Sequence, residues 1–269
     1  MKYMTFNSSC SFAGLANLLS LHGIETEDRE IALRMHLPYL FARRGDGYLS
    51  GPMLQGAEWF NLYLNPLGFT LAERILGKDA AVAELRTSAP AMLGLRVSPE
   101  SKHAVICTGW QGGGYRFINN KREASPEPET FCLTEADLLA RLDEPVVVGH
   151  LEQTEPRDAD FRPFLEDSVE TLRGLQKDIR DFCALEQSAA SLRAAMNSLF
   201  RPILLDGVTM LELLEETEIA GPLKEVRAQL LAVIKQECPA VLENKLDTVR
   251  LNAAITQYEK RIVKHMETI

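Results

Sequence analysis

The chain has 269 residues, 46% of them hydrophobic, with a formal charge of −9 and five cysteines; this length and apolar content suit two domains, each with its own core. The acidic balance argues against a dominant electrostatic attraction to nucleic acid or anionic membrane and leaves room only for a local basic patch. The cysteines, at positions 10, 107, 132, 183 and 238, are odd in number and form neither a C-x-x-C pair nor a cluster with histidine, a pattern that suggests neither a disulfide framework nor a structural zinc site.

The first residues lack a charged segment leading into an apolar run and a cleavage site, and no apolar run reaches membrane length, so a cytoplasmic location is expected. Asn7, Ser8 and Ser9 are capping types, Leu15, Leu18, Leu19 and Leu21 recur at helical spacing, and Gly23 supplies a stop. Cys10 therefore opens a helix. A thiol in a first turn faces unpaired N–H groups and the positive end of the dipole, which favour the thiolate and make Cys10 a candidate nucleophile; the alternative is a small buried residue at a helix start.

Glu27 to Leu37 predicts a short helix ended by Pro38, and Tyr39 to Pro52 a loop rich in glycine and aromatics. Such a loop either lines a cleft or merely connects, and Tyr48 is its candidate substrate contact. Met53 to Leu64 predicts an apolar helix carrying the second such candidate, Trp59, although Trp59 and Phe60 also suit a core. A helix over Asp79 to Arg86 follows. From Ala91 the pattern turns to strands, over Ala91–Val97, His103–Trp110 and Tyr115–Asn119, with a hairpin turn at Gln111-Gly112-Gly113-Gly114. Thr134 to Leu142 predicts a helix with a capping box and Pro145 to His150 a last strand.

The polar stretch Glu152–Pro156 marks a boundary, giving an α+β domain over residues 1–152 and a helical domain over 157–269. Beyond it, periodicity runs from Phe161 to Phe200 and breaks at Arg201-Pro202. Helices over Thr209–Glu216, Pro222–Glu237 and a last one reaching about His265 complete a bundle or pair of hairpins.

A nucleophile needs a base and a group to orient it. His103 starts one strand and Asn119-Asn120 ends its antiparallel neighbour across the turn, so the two ends lie side by side. An amide oxygen from Asn119 or Asn120 then fixes the His103 tautomer and leaves its other nitrogen for Cys10. His150, at a strand end, is the competing base.

Cys10 opening an apolar helix, with His103-Ala-Val-Ile-Cys-Thr-Gly-Trp and Tyr-Arg-Phe-Ile-Asn119 about a hundred residues later, resembles the papain-like superfamily. The bacteriocin-processing peptidases are the nearer group, and Asn7-Ser-Ser-Cys-Ser-Phe-Ala-Gly-Leu-Ala-Asn-Leu-Leu is similar to the N-terminal domain of the butirosin biosynthesis protein H acyltransferases. The resemblance covers residues 1 to about 150 and implies a Cys10-His103-Asn119 triad. Papain-like enzymes place an oxyanion-binding glutamine six positions before the cysteine; Met4 stands there, and the Asn7 amide is the substitute, beside the Cys10 N–H.

The expectation is a cysteine acyl-transfer enzyme acting on a peptide, amide or acyl-thioester substrate, including one on a carrier protein, in a biosynthetic or processing role. No metal or organic cofactor is expected. The alternative is a catalytically inactive papain-like binding protein that forms a homo-oligomer through its C-terminal helices.

Overall fold

The computed structural model describes residues 1–98 and 101–269. In chain order it forms α1 (Cys10–Ser20), α2 (Asp28–Arg34), β1 (Phe41–Arg44), β2 (Gly47–Ser50), α3 (Ala57–Leu64), β3 (Phe69–Leu76), α4 (Lys78–Thr87), β4 (Ala91–Ser98), β5 (Ser101–Gln111), β6 (Gly114–Asn119), β7 (Thr130–Leu133), α5 (Glu135–Arg141) and β8 (Val146–Gln153). The remainder holds α6 (Arg162–Ala184), β9 (Glu186–Gln187), α7 (Ala189–Ala195), wide π-helical turns over Met196–Phe200 and Pro202–Gly207, α8 (Val208–Leu213), α9 (Thr217–Lys235), β10 (Ala240–Val241) and α10 (Thr248–Met266). These elements make two units, one of Met1–Met35 with Gln55–Ala159, the other of His36–Leu54 with Asp160–Ile269.

The first unit is built on a six-stranded sheet of order β3-β8-β4-β5-β6-β7, antiparallel throughout. Alternation along its strands sends Leu93, Leu95, Val105, Cys107, Tyr115 and Phe117 into one buried cluster with Ala81, Val82 and Leu85 of α4 and Leu138 of α5. On the opposite face α1 packs across β5 and β4. Gly14 permits that approach, because a Cβ there would lie 2.7 Å from Asn120 Nδ2 and 3.0 Å from Met92 Sδ. The β5–β6 hairpin expected there turns at Gly112 and Gly113, with φ of +62° and +87°, values that a two-residue turn of this kind requires. The edge strands β3 and β7 had no counterpart in the sequence expectation. Among the described residues no helix is long and apolar enough to cross a membrane.

In the second unit, Leu165, Leu172, Leu175 and Ile179 of α6 are buried, as are Leu223, Val226 and Leu230 of α9 and Leu251, Ile255, Tyr258 and Ile262 of α10. The expected loop over 39–52 is instead the β1–β2 hairpin, pairing Phe41 with Ser50 and turning at Gly45-Asp46. Its hydrogen bonds hold it in this unit: Phe41 N–H donates to Ser168 Oγ (2.9 Å), Tyr48 Oη to Asp178 Oδ2 (2.6 Å) and Ser50 Oγ to the Pro202 carbonyl (2.6 Å). The helix expected from Phe161 to Phe200 breaks at Leu185, which is extended (φ −102°, ψ 152°). Glu186-Gln187 pairs with Ala240-Val241, and Ser188 restarts the helix by accepting from Ser191 N–H. Nor does the chain stop at Pro202; the wide turns carry it through. α9 likewise begins before Pro222, at Thr217.

A pair of imidazoles lies where the second unit's ends meet. His36 Nδ1 is 2.7 Å from His265 Nε2, Tyr39 stacks on His265 at 3.9 Å, and Phe161 meets His36 edge-on at 4.4 Å. One imidazole donates and the other accepts, which two imidazolium ions cannot do. Burial, then the neighbouring His265, lowers the His36 pKa from 6.5 to about 4, and burial lowers that of His265. Below pH 6.5 the unfolded chain therefore binds protons that the folded unit refuses, so stability falls as the pH drops from 6.5 toward 4. Urea denaturation is expected to show a loss of about 1–2 kcal/mol on going from about pH 7 to about pH 5 that the His36→Asn/His265→Phe double variant lacks. Asn is chosen because His36 has a φ of +54°, which Asn tolerates.

Candidate active site

The start of α1 is fixed from outside the helix. The Asp28 carboxylate, fully buried at the first residue of α2, accepts from Thr5 N–H (2.7 Å), Thr5 Oγ1 (2.6 Å), Ser9 Oγ (2.6 Å) and Arg29 N–H (2.7 Å). Ser9 occupies the N-cap position, with its hydroxyl 2.6 Å from Asp28 Oδ2 and 2.9 Å from the Phe6 carbonyl; among the described residues no side chain caps α1. The sequence expectation of a capped start is corrected accordingly: Ser9 has φ −83° and ψ 17°, not the extended backbone of a capping residue. Cys10, partly exposed, stands first in a helix whose opening N–H groups no side chain among the described residues has taken.

His103 and Asn119 meet as the strand pairing requires. Asn119 sits opposite Val105, diagonal to His103, and His103 Nδ1 lies 3.1 Å from Asn119 Oδ1. The amide's orientation is set independently, because Asn119 Nδ2 donates to Glu127 Oε2 and to the Pro128 carbonyl, each at 3.2 Å. Oδ1 must then face the ring, so Nδ1 carries the proton and Nε2 keeps its lone pair. The loop that supplies these acceptors is pinned by Lys121, whose buried ammonium donates to the carbonyls of Ser125 (2.7 Å), Glu123 (3.2 Å) and Arg122 (3.3 Å).

Asn120 does something else. Its Nδ2 donates to the Ala104 carbonyl (2.9 Å) and its Oδ1 accepts from Asn17 of α1 (3.0 Å), which also grips both backbone groups of Lys2. Adjacent residues on a strand point to opposite faces. Asn119 goes with His103, Leu95 and Val105, while Asn120 goes to the face that α1 covers. The N-terminal segment runs beside the end of β6, with Met4 N–H donating to the Lys121 carbonyl (2.9 Å) and Arg122 Nη2 to Asn7 Oδ1 (2.6 Å). α1 and the His103 side chain therefore belong to opposite faces of the sheet.

The remaining candidates separate by environment. Tyr48 is 3% exposed and its hydroxyl is held by Asp178 in the second unit, which burial and that hydrogen bond express by raising its pKa to about 12. The expectation of a substrate contact there is corrected to a packing role. Trp59 is half-buried on α3 of the first unit. His150 Nε2 lies 3.1 Å from Glu84, which Arg74 also engages, well away in sequence from either asparagine. Cys107 and Cys183 are buried, and desolvation pushes both thiols up to about 11, so they stay protonated at neutral pH; Cys132 and Cys238 are exposed. Among the described residues no group of three His, Cys, Asp or Glu is arranged to hold a metal.

One neighbour of Cys10 escaped the sequence reading. Ser11 Oγ donates to Gln55 Oε1, bringing a side chain from 44 positions downstream against the first turn of α1. Nothing in the local pattern around Gln55 announces that contact.

Two measurements check this architecture. Nitrogen NMR is expected to find His103 as its Nδ1-protonated tautomer in the native protein and as a tautomer mixture in Asn119→Ala. Asp28→Ala is expected to lower unfolding free energy by about 3 kcal/mol in denaturant titrations, since it strands buried donors of Thr5 and Ser9. A scan against protein-family models finds no match, and a comparison with curated proteins finds no significant relative.

Proposed function

We propose that the chain is a papain-like cysteine enzyme that transfers acyl groups through a Cys10 thioester. The observation that carries this reading is the His103–Asn119 pair, with an amide orientation locked by Glu127 and Pro128. Such a pair is what a thiol needs from a base: the correct tautomer, held in place, with a free nitrogen. In this reading Cys10 attacks an amide or thioester carbonyl, His103 takes the thiol proton and returns it to the leaving group, and the oxyanion is met by the first-turn N–H groups and the Asn7 amide. Asn7 suits that role because Arg122 holds its Oδ1 and leaves its N–H protons for another acceptor. Water as the second acceptor gives a hydrolase and an amine gives an acyltransferase. The substrate class is a peptide, amide or acyl-thioester, carrier-bound acyl groups included, acted on in the cytoplasm.

A second reading, a papain-like fold that binds without catalysis, draws on one observation: α1 and the His103 side chain belong to opposite faces of the sheet. Iodoacetamide labelling of the native protein over about pH 5 to 9, with mass spectrometry of every cysteine, separates the two. The catalytic reading expects Cys10 to react fastest below neutral pH and to lose that advantage in His103→Ala. If Cys10 behaves like exposed Cys132 and Cys238, in both proteins, the binding reading replaces it.

A further inference from the structure

We propose that Gln55 is a side-chain donor to the oxyanion formed at Cys10, and that Ser11 is the residue that positions it. The inference rests on the acyl-transfer reading and adds to it a group that comes from a separate segment of the chain. Ser11 follows Cys10 directly, so the two Cα atoms are about 3.8 Å apart, and Ser11 is itself 7% exposed, so its hydroxyl has little freedom. That hydroxyl donates to Gln55 Oε1. With its oxygen taken, the amide has a single orientation, and Nε2 keeps both protons; among the described residues no protein acceptor is recorded for them. The backbone supports the placement. Gly56, which follows Gln55 and precedes α3, has a φ of +112°, open in practice only to glycine.

The chemistry needs such a donor. As the Cys10 thiolate forms its bond to the carbonyl carbon, the π pair moves onto oxygen, and an N–H fixed beside that oxygen stabilises the charge. When the carbonyl re-forms, the bond to the leaving group breaks. Alkylation of the same thiol by iodoacetamide displaces iodide at a saturated carbon and creates no oxyanion. Gln55 therefore matters for acylation and not for alkylation, a distinction that a purely structural role does not make.

The test measures both reactions on the full chain: p-nitrophenolate release on acylation of Cys10 by p-nitrophenyl acetate, and alkylation by iodoacetamide. Gln55→Ala is expected to slow acylation about 100-fold while leaving alkylation within about twofold. Gln55→Glu, which keeps the volume and presents a carboxylate, is expected to match it, so that a packing defect in the alanine variant does not decide the result. Ser11→Ala should give an intermediate loss that Ser11→Thr restores, and Asn7→Ala provides the comparison for the other amide assigned to the oxyanion. Equal effects on the two reactions, or none on acylation, overturn the role of Gln55. If the native protein is not acylated at Cys10 and its alkylation ignores His103→Ala, the acyl-transfer reading itself fails, and Gln55 with it.

Discussion

The buried carboxylate of Asp28 fastens the segment that leads into α1. Ser9 lies where a hydroxyl caps a helix, an interaction that contributes about 1 kcal/mol. Its backbone (φ −83°, ψ 17°) is not that of a capping residue, and its hydroxyl donates to the buried Asp28 carboxylate, a bond that contributes about 1.5–3 kcal/mol. Thr5 adds its own N–H and hydroxyl to the same group. The segment before Cys10 is thereby fastened to α2, and the helix opening is left without a side-chain cap. An uncapped N-terminus in a rigid setting presents oriented donors and a favourable potential to whatever negative charge arises near it. The same carboxylate thus fastens the segment that leads into Cys10.

A second constraint is the pleat. Asn119 and Asn120 have the same chemistry and adjacent positions, yet strand alternation gives them different work. Asn119 orients an imidazole; Asn120 ties Ala104 of β5 to Asn17 of α1. That second link depends on Gly14, since any Cβ there would displace the Asn120 amide. Two neighbouring amides therefore hold the helix and the base in register from the two sides of one sheet.

Much of this was legible in the sequence, and what was not has physical causes. Strands β4, β5 and β6 have buried cores, so their apolar alternation is strong, and the turn at Gly112-Gly113 announces itself through backbone geometry. The approach of His103 to Asn119 follows from antiparallel pairing alone, although the choice between Asn119 and Asn120 needed the register. Edge strand β3 is hard to see because Glu73, Arg74 and Ile75 are all exposed, which erases alternation. The break at Leu185 is hidden because neither glycine nor proline marks it and apolar residues continue on both sides. The diversion of Ser9 and the arrival of Gln55 at Ser11 are contacts between distant segments, and local pattern carries no record of them.

The division into units shows the same limit at a larger scale. A composition change near residue 155 locates a boundary along the chain, but His36–Leu54 belongs with the helices that follow Asp160. Its hairpin is short and has partners on α6 and on the turns around Pro202, with Phe41, Tyr48 and Ser50 each giving a hydrogen bond to that unit. Tyr258 of α10 returns one to the Pro38 carbonyl. A two-stranded hairpin is marginal in water without such packing. Cutting the chain near residue 155 would strip these partners and expose Phe41 and Tyr48, both buried here. Apolar surface uncovered in that way promotes association of its own, so a change in oligomeric state after truncation would report the orphaned hairpin rather than a native interface. The assembly of this protein is a question for the full chain.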